Sequence, residues 1–180
     1  MKKILLTSLA ILFVISFGFA QKNKTQVFKW YTFEEAIKLN KKHPKKLFID
    51  IYTDWCGWCK KMDASTFSDE IIKNYMKEHF YPVKLNAERK DTVVFNGNTY
   101  VNPNPNASRS SHQLAAALLQ GRMSYPSFVI LDEKLEILNT IMGYKSAKDL
   151  EPILHFFGED AHEKLTYQKF IETFSGSFTQ

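Results

Sequence analysis

Cysteine is scarce in this sequence, whose 180 residues include only Cys56 and Cys59. Small exported domains that depend on disulfides carry several cysteine pairs, so a single pair excludes a disulfide-stapled scaffold. A bridge that closes a loop of about four residues stabilises a fold by roughly 2 kcal/mol before ring strain is subtracted. Structural zinc needs about four ligands, and the sequence offers neither a second cysteine pair nor a closely spaced histidine pair. The two cysteines are therefore interpreted as reactive residues.

An excess of charge of one sign is also missing. The formal net charge is +5, and it falls to +3 if the first twenty residues, which carry Lys2 and Lys3, are removed. Four lysines lie within residues 41–46, but a lysine cluster in a connecting loop is typical of a solvated edge. The charge pattern does not predict a nucleic-acid partner.

Long apolar runs are limited to the beginning of the chain. The uncharged segment from Ile4 to Phe19 follows two lysines and ends in small residues at Ala20, which predicts a signal peptide over residues 1–20. A retained membrane anchor is the alternative, although the run is shorter than the roughly 20 residues that a spanning helix needs. No cysteine follows the run, which excludes a lipoprotein anchor.

Residues 21–27 are polar and are predicted to be flexible, and residues 28–175 are predicted to form a single domain. Because of the leader, we expect the protein to be exported. The expected location is the periplasm if the source is a bacterium with two membranes, and otherwise the protein is secreted.

The two cysteines lie in the stretch from Trp55 to Lys60, between an apolar strand at 47–52 and a segment with helical character. A Cys-x-x-Cys at a strand-to-helix junction is typical of a redox motif. At a helix N-terminus the unpaired amides and the helix dipole stabilise a thiolate, so Cys56 is predicted to be the nucleophile. Cys59, one turn further on, is predicted to resolve the mixed disulfide.

A carboxylate, Asp50, interrupts the apolar strand at 47–52. One interpretation is that this side chain lies on a solvent-exposed face of the strand and has no functional role. The alternative is a buried carboxyl group beneath the cysteines, with a raised pKa, that passes a proton to or from Cys59 during exchange.

The rest of the sequence alternates between strand and helix patterns. A helix between the first two strands predicts that they are parallel, and an Asp-Glu-Lys turn predicts that the last two strands are antiparallel. Asn96-Gly97 is a strong hairpin signal. The predicted elements are a strand at 81–86, a hairpin at 92–101, strands at 127–131 and 135–142, a helix capped by Ser146 and a last helix at 161–174.

This order of elements and residues resembles the thioredoxin family over roughly residues 28–158. The resemblance implies an α/β thioredoxin-like fold, with a central mixed sheet flanked by helices, and thiol-disulfide exchange as the activity. The residues that carry it are Asp50, the Trp55-Cys56-Gly57-Trp58-Cys59-Lys60 motif, Val83 to Asn86, Tyr125-Pro126 and Gly143.

The resemblance also implies roles for residues outside the cysteine pair. Pro126 would follow a cis peptide bond beside the disulfide, and the backbone of Tyr125 would pair with an extended substrate. Trp55 and Trp58 would contact that substrate, and Lys84 would tune the ionisation of the carboxylate on the first strand. Protein disulfides or dithiols are the implied substrates, a second redox partner would recycle the cysteines, and no cofactor or metal is implied.

Three features depart from the minimal family pattern. Trp58 replaces the proline that is usual between the cysteines of cytosolic thioredoxins, and the residue at that place helps to set the redox potential. A stretch at about 89–111 is an insertion, which could contact a partner or be a surface elaboration. A helix after Gly158 is additional.

A binding function is the rival hypothesis. Two thiolates suffice for Cu(I), so the cysteines could carry copper, or the groove beside Pro126 could hold peptides without turnover. Met62 and Met123 lie near the motif and Pro126 in the sequence, although methionine at such places is more often part of the core.

Overall fold

A computed structural model describes residues 27–178. The predicted signal peptide at 1–20 and almost all of the predicted flexible segment at 21–27 lie outside the described residues. The six helices of the described part are α1 (Phe33–Asn40), α2 (Gly57–Ser65), α3 (Glu70–His79), α4 (Gln113–Leu118), α5 (Ala147–Gly158) and α6 (Tyr167–Thr173). Its six strands are β1 (Lys46–Tyr52), β2 (Phe80–Asn86), β3 (Val93–Phe95), β4 (Asn98–Tyr100), β5 (Ser127–Leu131) and β6 (Ile137–Met142).

The main sheet has the strand order β2-β1-β5-β6. β1 pairs with β2 in parallel and with β5 antiparallel, and β6 pairs antiparallel with β5. The predicted mixed sheet and the direction of each strand pair are confirmed. β1 has a neighbour on either side and helices cover both faces, which explains why its sequence is almost wholly apolar.

The alternation of side chains along β1 divides the core into two layers. Leu47, Ile49 and Ile51 point to the layer that contains α1 and α4. Phe48 points to the opposite layer, where it stacks on Phe128 with ring centroids 5.4 Å apart. That second layer contains residues of α2, α3 and α5. Asp50, two residues after Phe48, faces this same layer.

The predicted insertion contains a small sheet of its own. β3 and β4 form the antiparallel hairpin that Asn96-Gly97 predicts, and both turn residues have a positive φ. The loop after the hairpin is organised by the buried side chain of Asn102, which donates to the carbonyl groups of Arg89 and Ser110. Its Oδ1 accepts from the Ser110 hydroxyl and from the backbone of Asn104. This loop is therefore an ordered part of the fold.

The C-terminal part differs from the sequence prediction in detail. The helix predicted at 161–174 is a short 3-10 turn at Ala161–Glu163 followed by α6. α6 packs on α5 through Phe170, which lies 5.3 Å from Phe156 between ring centroids. Among residues 27–178, no helix combines the length and the apolar character needed to cross a membrane.

Replacing Asn102 with alanine tests whether this side chain orders the insertion. N102A should increase hydrogen exchange across residues 89–111, with local opening favoured by about 1–3 kcal/mol, because buried groups of the loop lose their partner. Amides of β1 and β5 should exchange as in the wild type. N104A is the matched control, since the exposed Asn104 contributes its backbone to the loop. Equal exchange in the two variants would contradict this role.

Candidate active site

Cys56 and Cys59 form a disulfide at the N-terminus of α2. Cys56 is the N-cap residue of the nine-residue helix, and its Sγ accepts a hydrogen bond from the backbone N–H of Cys59 at 3.1 Å. The first turn of α2 contains no acidic residue that would oppose negative charge on this sulfur. Both cysteines are largely covered, with 5% of Cys56 and 3% of Cys59 exposed. The helix end thus presents partial positive charge directly to the sulfur of Cys56.

Lys84 links the strand beneath the cysteines to the helix that carries them. Asp50 and Lys84 are paired across β1 and β2, and Lys84 Nζ lies 2.6 Å from Asp50 Oδ2. The same ammonium group also contacts Asp63 Oδ1 on α2. Asp63 is four residues after Cys59, so the two side chains are neighbours on one helix face. The cluster Asp50–Lys84–Asp63 therefore lies against the motif helix, one turn from Cys59.

Asp50 is almost completely buried, with 1% of its surface exposed. Burial raises the pKa of its carboxyl group to about 6, because the contact with Lys84 offsets only part of the desolvation and Asp63 adds a further raising effect. Burial by itself would lower the pKa of Lys84, but the two carboxylates outweigh it and raise that pKa. Asp50 Oδ1 is buried without a hydrogen-bond partner among the described residues.

The peptide bond between Tyr125 and Pro126 is cis, as the resemblance implies. It immediately precedes β5, whose first residue, Ser127, pairs with Ile51 near the end of β1. Because β1 leads directly into the motif, the cis bond and the cysteines lie at the same edge of the sheet. Neither the backbone N–H nor the C=O of Tyr125 has a hydrogen-bond partner within residues 27–178.

Two aromatic pairs flank the disulfide. Trp55 makes an edge-to-face contact with Tyr125, and Trp58 contacts Tyr144, with ring centroids 6.0 Å and 5.4 Å apart. Both tryptophans are exposed, by 49% and 57% of their surface. Exposed aromatic rings beside a reactive disulfide form a surface that suits an apolar segment of another protein.

A cation lies over each aromatic pair. The guanidinium carbon of Arg109, from the insertion, is 4.8 Å from the centroid of Trp55. Lys61 Nζ is 4.7 Å from the centroid of Trp58. On the edge of Trp55, the indole N–H donates to a carboxylate oxygen of Glu88 at 2.9 Å.

A model of the thioredoxin-like domain family matches residues 33–158. The chain belongs to the thioredoxin-like family. That match spans every strand of the main sheet and the disulfide at the start of α2, and it ends where α5 ends. The 3-10 turn and α6 thus lie beyond the matched domain.

Curated relatives match shorter parts of the chain. An uncharacterised protein from Archaeoglobus fulgidus is 31% identical over 65 residues, which are 36% of this chain and 51% of that protein. A thiol:disulfide interchange protein DsbD from Pectobacterium atrosepticum is 40% identical over 35 residues, which are 19% of this chain and 6% of that protein. The matched segments thus span about half or less of these relatives.

Solved structures show the same fold. A thioredoxin-fold protein from Helicobacter pylori superposes with a TM-score of 0.54 at 16% identity, over 72% of this chain and 83% of the other. A thioredoxin from Thermus thermophilus gives a TM-score of 0.53 at 17% identity, over 78% of this chain and 100% of the other. At such identities the likeness concerns the thioredoxin-like fold alone.

Sequence reasoning did not identify Asp63, Tyr144 or Arg109 as members of the site. A sequence signal for Asp63 existed, since its four-residue spacing from Cys59 places both on one helix face. No comparable signal pointed to Arg109, which is 54 positions after Trp55 in the sequence. Met62, which was considered as a copper ligand, is fully buried in the core layer beneath α2.

Asp50→Asn should change how the stability of this thioredoxin-like domain depends on pH. The pKa of this carboxyl group rises from 3.8 to about 6 on folding, so the folded state binds the proton more tightly than the unfolded state. The free energy of unfolding therefore falls as pH increases between these values. The oxidised wild type should therefore lose about 2 kcal/mol relative to D50N between pH 4 and pH 7. Urea unfolding of both proteins across this range measures the difference. D54N, at an exposed loop position, should retain the wild-type dependence. Parallel curves for the wild type and D50N would contradict a buried carboxyl group with a raised pKa.

Asp63→Asn should lower the pKa of Asp50. Without the Asp63 carboxylate, Lys84 has Asp50 as its remaining acidic partner and one source of repulsion is removed. The carboxyl carbon of Asp50, followed by NMR across pH 3–8, should titrate at lower pH in D63N than in the wild type. D54N again serves as the control and should leave the titration unchanged. An unaltered or higher titration midpoint in D63N would disprove the coupling.

Proposed function

We propose that this protein is an exported thiol-disulfide oxidoreductase that exchanges disulfides with protein substrates through its Cys-Gly-Trp-Cys motif. The observation that carries the proposal is the disulfide at the N-terminus of α2, at the same sheet edge as the cis bond before Pro126. The basic and apolar pattern of residues 1–20 supports export, with the periplasm as the expected location in a bacterium with two membranes.

The reaction consists of two exchange steps. In the reducing direction, the thiolate of Cys56 attacks one sulfur of a substrate disulfide, forms a mixed disulfide and releases a substrate thiolate, which takes up a proton. Cys59 then loses its proton and attacks Cys56, which forms the intramolecular disulfide and releases the second substrate thiol. Two electrons have passed from the cysteine pair to the substrate. A dithiol partner returns the pair to its reduced form by the same steps in reverse.

The helix geometry favours Cys56 as the attacking residue. Its sulfur is at the N-cap of α2, where unpaired amides and the helix dipole stabilise a negative charge. Cys59 lies within the first turn of α2, so it acts as the resolving cysteine.

We assign the proton transfer at Cys59 to Asp50. Its carboxyl group has a pKa of about 6, which suits a group that both accepts and returns a proton near neutral pH. The unpartnered Oδ1 leaves one oxygen available for the proton, while Lys84 holds the other. Lys84 thereby tunes the ionisation of Asp50.

The substrate-binding surface lies around Tyr125 and Pro126. The backbone groups of Tyr125, which have no hydrogen-bond partner among residues 27–178, allow an extended segment of the substrate to pair there as an added strand. Trp55 and Trp58 supply the apolar contacts on either side of the disulfide.

Replacing each cysteine separately tests the two-step mechanism. In insulin-disulfide reduction, Cys56→Ser should reduce the rate to the uncatalysed background, because no attacking thiolate remains. Cys59→Ser should still attack but should accumulate mixed disulfides, because the resolving thiol is missing. Non-reducing electrophoresis and intact mass detect the trapped species.

Ser68→Ala is a suitable control, because Ser68 is exposed beyond the C-terminal end of α2 and its hydroxyl group donates to the backbone carbonyl groups of Ala64 and Ser65. It should retain the wild-type rate and form no trapped adducts. Full activity in either cysteine variant would disprove the mechanism. Binding of peptides or of Cu(I) without any turnover by the wild type would favour a carrier instead.

A further inference from the structure

The inserted segment at 89–111 reaches back to the cysteine motif. Its residue Arg109 places a guanidinium group over the face of Trp55, which directly precedes Cys56. Trp55 in turn contacts Tyr125, which directly precedes Pro126. Arg109 therefore stands at the rim of the surface to which we assign substrate binding.

The loop around Arg109 is built to hold this position. Ser110, the next residue, is bound through both its carbonyl group and its hydroxyl group to the buried side chain of Asn102. Arg109 itself has a φ of 60°, in the left-handed region that is unfavourable for a non-glycine residue. The Asn102 contacts and the cation–π contact with Trp55 compensate for this local cost.

The charge of Arg109 has no acidic partner among the described residues. Arg89, at the start of the same insertion, forms ion pairs with Glu34 and Asp91, whereas no carboxylate lies within 4.0 Å of Arg109. Glu88 is the acidic group beside Trp55, and its carboxylate accepts a hydrogen bond from the edge of the indole ring. The exposed guanidinium is therefore available to a charge outside the described part of the chain.

The opposite side of the motif repeats this arrangement. Lys61 Nζ lies between Trp58 and Tyr144, 4.7 Å and 5.2 Å from their ring centroids, and within residues 27–178 it forms no ion pair. Two exposed cations thus stand on the two aromatic pairs beside the disulfide. The aromatic rings restrict the conformations of the Arg109 and Lys61 side chains, so these side chains lose less conformational entropy when they bind an anion.

We propose that Arg109 is a specificity residue that binds a carboxylate of the substrate near its reacting cysteine, so that the protein prefers protein segments in which acidic residues flank that cysteine. This rests on the proposed exchange activity. A guanidinium group that stacks on an aromatic face keeps its N–H edge free for a bidentate contact with a carboxylate. Lys61 contributes a second, weaker attraction on the Trp58 side.

Three disulfide-linked fluorogenic peptides test the preference. They share one sequence except that glutamate, glutamine or lysine occupies the positions flanking the cysteine. With reduced wild-type protein, kcat/KM should be highest for the glutamate peptide and lowest for the lysine peptide, with about a fivefold advantage of glutamate over glutamine. That ratio corresponds to an ion pair worth about 1 kcal/mol. The advantage should shrink as salt is raised.

Variants at position 109 separate charge recognition from a structural role. R109A should bring the ratio of kcat/KM for the glutamate peptide to kcat/KM for the glutamine peptide close to one, and R109E should reverse the order of the peptides. R109K should retain part of the preference, since it keeps the charge without the bidentate edge. K134A is the control: it removes one positive charge from the exposed turn beyond the far end of β5, and it should keep the full preference for the glutamate peptide.

The outcomes that would overturn the proposal are distinct. Equal rates of the wild type with all three peptides, or an unchanged ratio in R109A, would exclude charge recognition while leaving the exchange activity intact. An equal loss with every peptide in R109A would mean that Arg109 only supports Trp55. Absence of turnover with any peptide would instead refute the exchange activity on which the proposal rests.

Discussion

The constraint on which the site depends is the burial of a carboxylate in the central strand. Asp50 lies between Ile49 and Ile51, which belong to the apolar core, and its own side chain faces the layer beneath α2. A charge in that place is unfavourable unless a partner compensates it, and Lys84 does so from the adjacent position on β2. Compensation is incomplete, because the contact with Lys84 offsets only part of the desolvation and Asp63 on the motif helix, which shares Lys84, adds a further raising effect. The result is a carboxyl group with a pKa of about 6 below the disulfide.

The sheet topology brings the other parts of the site to one edge. β1 ends just before the cysteines, and its antiparallel neighbour β5 begins just after Pro126. A parallel neighbour would have placed the start of β5 at the opposite edge, some 20 Å away for strands of six residues. The helix N-terminus, the cis bond and the buried carboxyl group therefore meet without any long loop between them. Within the described part of the chain, the backbone of Tyr125 is left without a hydrogen-bond partner, which suits the binding of an extended segment.

The insertion adds a hairpin and a loop beside the main sheet. The hairpin and its loop do not extend the main sheet, but Arg109, near the end of the insertion, lies over Trp55. Asn102 is the centre of the arrangement, because its side-chain amide makes four hydrogen bonds within the insertion. This loop thereby carries a cation that has no acidic partner within residues 27–178 to a position beside the disulfide.

The sequence by itself determined the strands of the mixed sheet, the hairpin and the placement of the cysteines at the start of a helix. These features follow from local patterns, namely the apolar run of β1, the Asn96-Gly97 turn and the Cys-x-x-Cys spacing. Resemblance to a family added the partnership of Asp50 with Lys84 and the cis bond before Pro126. Only the tertiary structure decided that Asp63 shares Lys84 and that Arg109 lies over Trp55. Each of these contacts joins residues that are far apart in the sequence, where helix or strand periodicity predicts no contact. Local sequence patterns indicate which face of a helix or strand is buried. Which side chains of other elements contact that face depends on how all the elements pack.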